Sequence, residues 1–411
     1  MQLQGHLKAG VAALAYTLLL YASALAAAEQ PAAKQVSVGP ENVLLVANSA
    51  YAGSVELAKY YAGKRAIPPE NLFILKLPTT EDVDRDCFNL EIQAPIRERI
   101  AKSGNEIRCI VVFYGVPLNI WDPQPVDRKI FKLKQNLEGT KKGTFQGEST
   151  DLEEEIKELE GQEKEIAKQA ASVDSELALL GRPHSLAGWV ASPFLTETPW
   201  PKGCYWVARI DATTAEDARS MIDGALEAEK NGLKGTAYFD ARGLTGKDDY
   251  SRADAQIRSA AEMTRALGFN TVLDNRPELF GKNDCPNAAI YWGWYSLAKY
   301  VDSFKFVPGA IAVHIASGEC DSLREGAYWC RHLIEHGAAV TMGPTNEPYL
   351  EAFPRPDLFL ERVYSGECIG AAYYQTLPWL SWRMVLLGDP LYRPFAKKVE
   401  ANEEIRGKPG G

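Results

Sequence analysis

Cys320 is the residue of this chain whose setting most directly suggests chemistry. It follows AVHIASGE, whose apolar part reads as a strand, and Asp321-Ser322 after it can cap a helix over SLREGAYWCRHLIEH, 322–336. A cysteine in the first turn of a helix has its thiolate stabilised by the helix dipole and can serve as a nucleophile. It then needs a base within hydrogen-bond reach. His314 is six residues back on the same run, about 20 Å away if the strand continues at 3.3 Å per residue. His332 and His336 fall at the far end of the next helix, which leaves His184. From the chemistry alone three readings of Cys320 are open: catalytic nucleophile, half of a disulfide, or inert buried thiol.

The string HLIEH (332–336) has the form H-x-x-E-H, which on one helical face can hold zinc. Its context favours a helix end instead, because Gly337 follows at once and leads into a strand, so that His336 complements the helix dipole. Nothing else in the sequence calls for a metal or a cofactor. A third group consists of side chains at the ends of strand-like runs: Trp292, Trp294 and Tyr295, Asp240 and Arg242 in FDARG, and Asn346 with Glu347. Aromatic rings with a few charged groups suit a peptide or a carbohydrate. The competing reading puts the tryptophans in the core and pairs Asp240 with Arg242 structurally.

These residues need a scaffold, and the hydrophobic pattern supplies one. Strand-like runs at 41–49, 71–77, 107–118, 232–240, 270–274, 288–294, 309–317 and 337–344 alternate with helical stretches at 54–67, 94–102, 216–230, 254–268 and 322–336. Such alternation predicts an α/β fold with a mostly parallel sheet and helices on both faces, in which ligands gather at the carboxyl ends of the strands. One stretch departs from this. Leu152, Ile156, Leu159, Glu163, Ile166, Ala170, Val173, Leu177 and Leu180 follow a heptad seam, and 127–139 is also helical in pattern, which predicts an inserted helical hairpin. Its two arms pack on each other, or its 152–180 seam mediates self-association.

The composition frames the rest. Of 411 residues, 46% are hydrophobic, enough for a large core, and the formal net charge of −9 argues against a nucleic-acid partner. Residues 1–28 place His6 and Lys8 before an apolar stretch that ends in ASALAAA, the order of a secretory signal peptide. No cysteine stands at the cleavage site and the end GKPGG is polar, so no stable membrane anchor is expected and the protein is read as soluble, periplasmic or secreted. All seven cysteines follow the leader, in a compartment where disulfides form; the odd number leaves at least one out of intramolecular pairs. The expected organisation is a signal peptide over 1–28, an N-terminal α/β subdomain over 29–121, the hairpin over 122–171, a second α/β subdomain over 172–397 and a polar tail over 398–411.

Several strings, in order, resemble the gingipain-type cysteine peptidases of the caspase-like clan. VLLVANSAYAGSVELAKYYAGKRAI resembles their opening strand and helix, SVDSELALL (172–180) their Ser-Asp-x-x-Tyr element, and YWVARIDATTAEDARSMIDGALEAE (205–229) their Gly-Arg-Ile strand, with Ala208-Arg209 in place of Gly-Arg. LIEHGAAVTMGPTNEPYL is similar to a late strand and loop, and MVLLGDPLYRPF (384–395) to the closing Leu-Gly-Asp-Pro signature. The phrases IASxxxxSLR and LPWLSWRMVLLGDP also resemble an uncharacterised exported bacterial family. The resemblance implies a caspase-like α/β core with Cys320 near the nucleophile position. It also implies a catalytic histidine in Gly-His-Gly, where this chain has Gly293-Trp294-Tyr295-Ser296. An indole cannot exchange a proton with a thiol. The expectation is an incomplete dyad in a non-catalytic binding or surface-assembly module; the alternative is a thiol-dependent hydrolase that uses Cys320 with another base.

Overall fold

Val43–Asn48 is buried at every position, as expected of a strand covered on both faces. In the computed structural model it is β1. The structure describes residues 37–120, 129–130, 132–134, 137–138, 149–168, 170–184, 189–347 and 349–396. The leader expected over 1–28 and the tail over 398–411 lie outside the described residues. Every strand and helix among the described residues lies in one unit, made of residues within 38–196 and 202–396.

In chain order the strands are β1, β2 (Leu72–Leu75), β3 (Asp82–Val83), β4 (Cys109–Phe113), β5 (Asn119–Ile120), β6 (Ala171–Ser172), β7 (Val190–Ala191), β8 (Trp206–Ile210), β9 (Thr236–Asp240), β10 (Asn270–Asp274), β11 (Cys285–Gly293), β12 (Phe304–His314), β13 (Thr341–Pro344), β14 (Trp379–Leu380) and β15 (Met384–Leu387). The principal helices are α1 (Ser54–Arg65), α2 (Ala94–Ala101), α3 (Ser149–Lys168), α4 (Val173–Leu177), α5 (Ala215–Asn231), α6 (Asp249–Ala266), α7 (Trp329–Glu335), α8 (Pro356–Tyr364) and α9 (Ile369–Tyr374). One sheet has the order β13-β15-β8-β4-β1-β2 and a second the order β10-β9-β11-β12. Pairing is parallel throughout the second sheet and along β8-β4-β1-β2. β13 and β15 are antiparallel.

The sheets meet where the chain enters β13. Ile311 and Val340 form a parallel bridge, and the amides of Ala312 and Ala339 donate to the carbonyls of Val340 and Ala310 at 2.9 Å. Helices cover both faces, as alternating side chains of β11 show. Tyr291 packs with Trp329 of α7, while Trp292, one residue on and therefore on the other face, packs with Phe359 of α8. The fold is thus α/β with a largely parallel sheet flanked by helices.

Two expected helices are shorter than their patterns. The stretch 322–336 is helical only over Trp329–Glu335. Before it the backbone is held elsewhere: the amide of Leu323 donates to Glu81 (2.8 Å), Arg324 reaches Asp211 (2.6 Å), and Gly326 has φ +81°. Cys320 therefore does not begin a helix. The heptad seam likewise does not run to Leu180. α3 ends at Lys168, β6 pairs with β5 in antiparallel register, and Ser172 caps a new helix, α4, by accepting from the Ser175 amide at 3.1 Å. Val173, Leu177 and Leu180 are buried in the core and are not open to a partner. The described residues between 129 and 138 are helical and lie alongside α3: Ile130, Ile156 and Leu159 are buried, and Lys129–Glu155 (3.0 Å) and Lys134–Glu160 (2.8 Å) are ion pairs.

Candidate functional site

At the carboxyl ends of β9, β11 and β12 one register row places Gly293 between Asp240 and His314. A Cβ on Gly293 would lie 2.5 Å from the Asp240 Cβ and 2.6 Å from the Tyr291 hydroxyl oxygen, so only glycine leaves that space to the phenol. Tyr291 Oη is 2.9 Å from His314 Nδ1, and the Ser296 amide donates to Nε2 at 3.1 Å. Nε2 is then the acceptor and Nδ1–H the donor to the phenol oxygen. The imidazole stacks on Trp329 with centroids 3.6 Å apart, and burial pushes its pKa well below the ordinary value. A neutral ring with both nitrogens occupied is fixed in structure and is not poised to take a proton.

Two carboxyl groups adjoin this row. Asp240 Oδ2 accepts from the Phe280 amide at 3.2 Å, and Glu319 Oε2 from the Trp329 amide at 2.8 Å. Their other oxygens, Asp240 Oδ1 and Glu319 Oε1, are buried without a hydrogen-bond partner. Burial pushes Asp240 up to about 7 and Glu319 up to about 8. Asp240 is thus a buried group beneath the surface, and it does not pair with Arg242, whose guanidinium lies over the rings of Trp294 and Tyr295.

Cys320 is bridged to Cys330, with Cα atoms 5.3 Å apart and both residues buried. The fit is close. A Cβ on Gly343 would come within 2.9 Å of the Cys330 sulfur and 3.0 Å of that of Cys320. Cys320 in this state has no thiolate. Among the free cysteines, burial pushes the thiols of Cys109, Cys285 and Cys368 upward, and burial together with Glu91 and Asp84 pushes Cys87 up to about 11. His184, the remaining candidate base, donates through Nδ1 to the Arg182 carbonyl (2.9 Å) and faces Glu176 through Nε2 (3.4 Å). The facing Glu176 carboxylate raises its pKa. Burial opposes ionisation of Glu176, but His184, Arg85 and Ser381 outweigh it and hold that carboxylate low.

The strings that carry the resemblance turn out to be pins of the scaffold. Arg209, fully buried, forks onto Asp174 (Nη2–Oδ1 2.6 Å), reaches Asp211 (3.1 Å) and donates to the carbonyls of Val116 (2.7 Å) and Pro117 (2.9 Å). Asp389 of the closing signature accepts from Tyr61 Oη (2.6 Å) and pairs with Arg65 of α1. In HLIEH, His332 Nδ1 lies 2.8 Å from Glu335, whose other oxygen takes Thr213 and Arg331, and His336 caps α7 before Gly337 at φ +103°.

The exposed part of the site is aromatic. Trp294, only 1% exposed, donates Nε1–H to Asp254 at 2.8 Å, and the same carboxylate takes the amides of Arg242 (2.6 Å) and Leu244 (2.8 Å). Its ring therefore backs the surface and is not part of it. Tyr250, 58% exposed, stacks on it at 5.8 Å, and Tyr295 beside Arg242 is 45% exposed. Tyr250 is held there by α6, whose N-cap Asp248 accepts from the Ser251 amide at 2.9 Å. Tyr349, 59% exposed, stands edge-on to Trp189 (4.9 Å) and Trp382 (5.8 Å). Tyr250 and Tyr349 line a common cavity of about 350 Å³. Asn346 and Glu347 lie just before it: the Asn346 carbonyl accepts from the Gly318 amide, and Glu347 accepts from Ser317 Oγ at 2.9 Å. Strand ends alone do not point to Tyr250, Tyr349 or Trp189, and sequence reasoning missed all three. An aromatic two residues after an N-capping aspartate was the available signal for Tyr250.

No family model matches the chain and no curated protein matches it. Among solved structures it is similar to one titled "Structure of Protease", at 10% identity over 88% of this chain and 80% of that chain, with a TM-score of 0.49. At that identity and TM-score the likeness assigns no activity.

Proposed function

We propose that the chain is an exported, non-catalytic binding module whose ligand surface is the aromatic rim at the carboxyl ends of β9, β11 and β13. The observation that carries this reading is the state of Cys320, bridged to Cys330 with both residues buried; His314, for its part, is held neutral with both ring nitrogens bonded. A nucleophile requires a thiolate and a base that can accept its proton; the bridged Cys320 supplies no thiolate, and His314 is not poised to take a proton. Tyr250, Tyr295 and Arg242 stand instead where a ligand would meet the sheet, and their exposure is the kind that marks an interaction surface. The disulfide suits an oxidising compartment and so supports the signal-peptide reading of residues 1–28. No described helix is long and apolar enough to cross a membrane.

The test is turnover. Wild type and Cys320→Ala, purified without reductant, are assayed against a peptide and ester library. Neither is expected to hydrolyse any member; hydrolysis by wild type that Cys320→Ala loses while still folded would restore the thiol hydrolase.

A further inference from the structure

We infer that the cavity between Tyr250 and Tyr349 binds a short neutral oligosaccharide. The inference rests on the binding reading above and names the ligand class of that surface. The cavity measures about 350 Å³, at the small end of ligand sites. Its walls are two exposed tyrosine rings, each supported from behind. Tyr250 lies on Trp294, which Asp254 fixes by its indole nitrogen, and Tyr349 rests against Trp189 and Trp382. Rings held this way lose little freedom when a ligand stacks on them, which favours binding.

The polar groups select among ligands. Asp249 and Arg252 pair with each other, which leaves Gln256 and Glu351 as the lining groups free to bond a guest. An amide and a carboxylate suit hydroxyls, which both donate and accept. A pyranose offers this combination: C–H faces for the tyrosines and a hydroxyl edge for Gln256 and Glu351. With Asp249 paired to Arg252, an anionic sugar would meet the unpaired carboxylate of Glu351 in a chain of formal charge −9. A peptide bound by strand addition needs an open strand edge, and the lining residues lie on α6 and on the turn at Leu350–Ala352. Spacing on α6 explains the arrangement, since Asp249, Arg252 or Ala253, and Gln256 recur three or four residues apart on one face.

The test is affinity electrophoresis of the full chain through native gels containing a soluble β-glucan, a galactomannan or hydroxyethyl cellulose, with alginate and polygalacturonate as acidic comparators. At least one neutral polymer is expected to retard wild type, and the acidic ones are not. Tyr250→Ala and Tyr349→Ala should each weaken the interaction about tenfold, the scale of one lost stacking partner, while Tyr250→Phe keeps it. Tryptophan fluorescence, titrated with oligosaccharides of the retarding polymer, gives a second readout through Trp294 and Trp189 and distinguishes lost binding from lost folding. The inference is overturned if no neutral polymer retards the protein, if only acidic polymers do, or if both alanine variants bind as wild type. Glycan binding together with Cys320-dependent hydrolysis would remove only the non-catalytic reading. Absence of both would remove only the glycan assignment.

Discussion

Asp240 and Glu319 each bury one carboxyl oxygen without a hydrogen-bond partner, and the consequence is a pH dependence whose sign can be worked out. Burial raises the folded-state pKa of Asp240 to about 7 and of Glu319 to about 8. In the unfolded chain both ionise near pH 4. Between about pH 4 and pH 8 the unfolded state therefore holds fewer protons than the folded one, and these two groups make stability fall as pH rises. Thermal unfolding should show a melting temperature that drops from about pH 5 to pH 8, with a shallower slope in the Asp240→Asn, Glu319→Gln double variant. An unchanged slope would mean that neither group is protonated in the fold. Arg209 presents the opposite case, a buried cation with every direction satisfied. Arg209→Ala leaves Asp174 and Asp211 buried without it and should cost about 3–5 kcal/mol in denaturant unfolding. A loss under about 1 kcal/mol would show that the network is not a pin of the scaffold.

Among the elements, α3 is the most separable. β5 and β6 pair Ile120 with Ala171, so the chain leaves and re-enters the core at adjacent positions. Replacing residues 126–168 by a short Gly/Ser linker should leave cooperative thermal unfolding intact, and its loss would make α3 part of the core. The replacement stops before Ala170 because Ala170–Leu180 is buried. The loop from Cys320 to Cys330 is the least separable. It spans Glu81, Asp211 and Tyr51 through Ser322, Leu323 and Arg324. Closing a loop of about ten residues contributes roughly 2–3 kcal/mol by restricting the unfolded chain. The Cys320→Ser, Cys330→Ser variant should unfold at correspondingly lower denaturant; equal stability would mean that the bridge is not formed in solution.

For the molecule as a whole, the α/β layout was readable because buried parallel strands are continuous apolar runs, and β1, β4, β9 and β11 each contain a run of at least four buried residues. The two helix ends were not readable. Ala170, Val173 and Leu177 satisfy a heptad as well as they satisfy a short strand followed by a capped turn, and only the pairing with β5 decides between them. Nor does any local pattern in 322–328 announce that Glu81, far back in the chain, will take the Leu323 amide. The site was half legible for a related reason. Strand ends pointed to Trp294, Tyr295 and Asp240, but residue type alone cannot tell that Trp294 is a support and Tyr250 the surface it supports.

The state of the Cys320 sulfur separates a binding module from a thiol hydrolase. The protein is denatured without reductant in the presence of an alkylating agent, digested, and mapped by mass spectrometry. A Cys320–Cys330 linked peptide is expected, with no alkylation at Cys320 and with alkylation at Cys87, Cys109, Cys204, Cys285 and Cys368. Stoichiometric alkylation of Cys320 in protein that also turns over a peptide or ester substrate would contradict it and return Cys320 to the role of nucleophile.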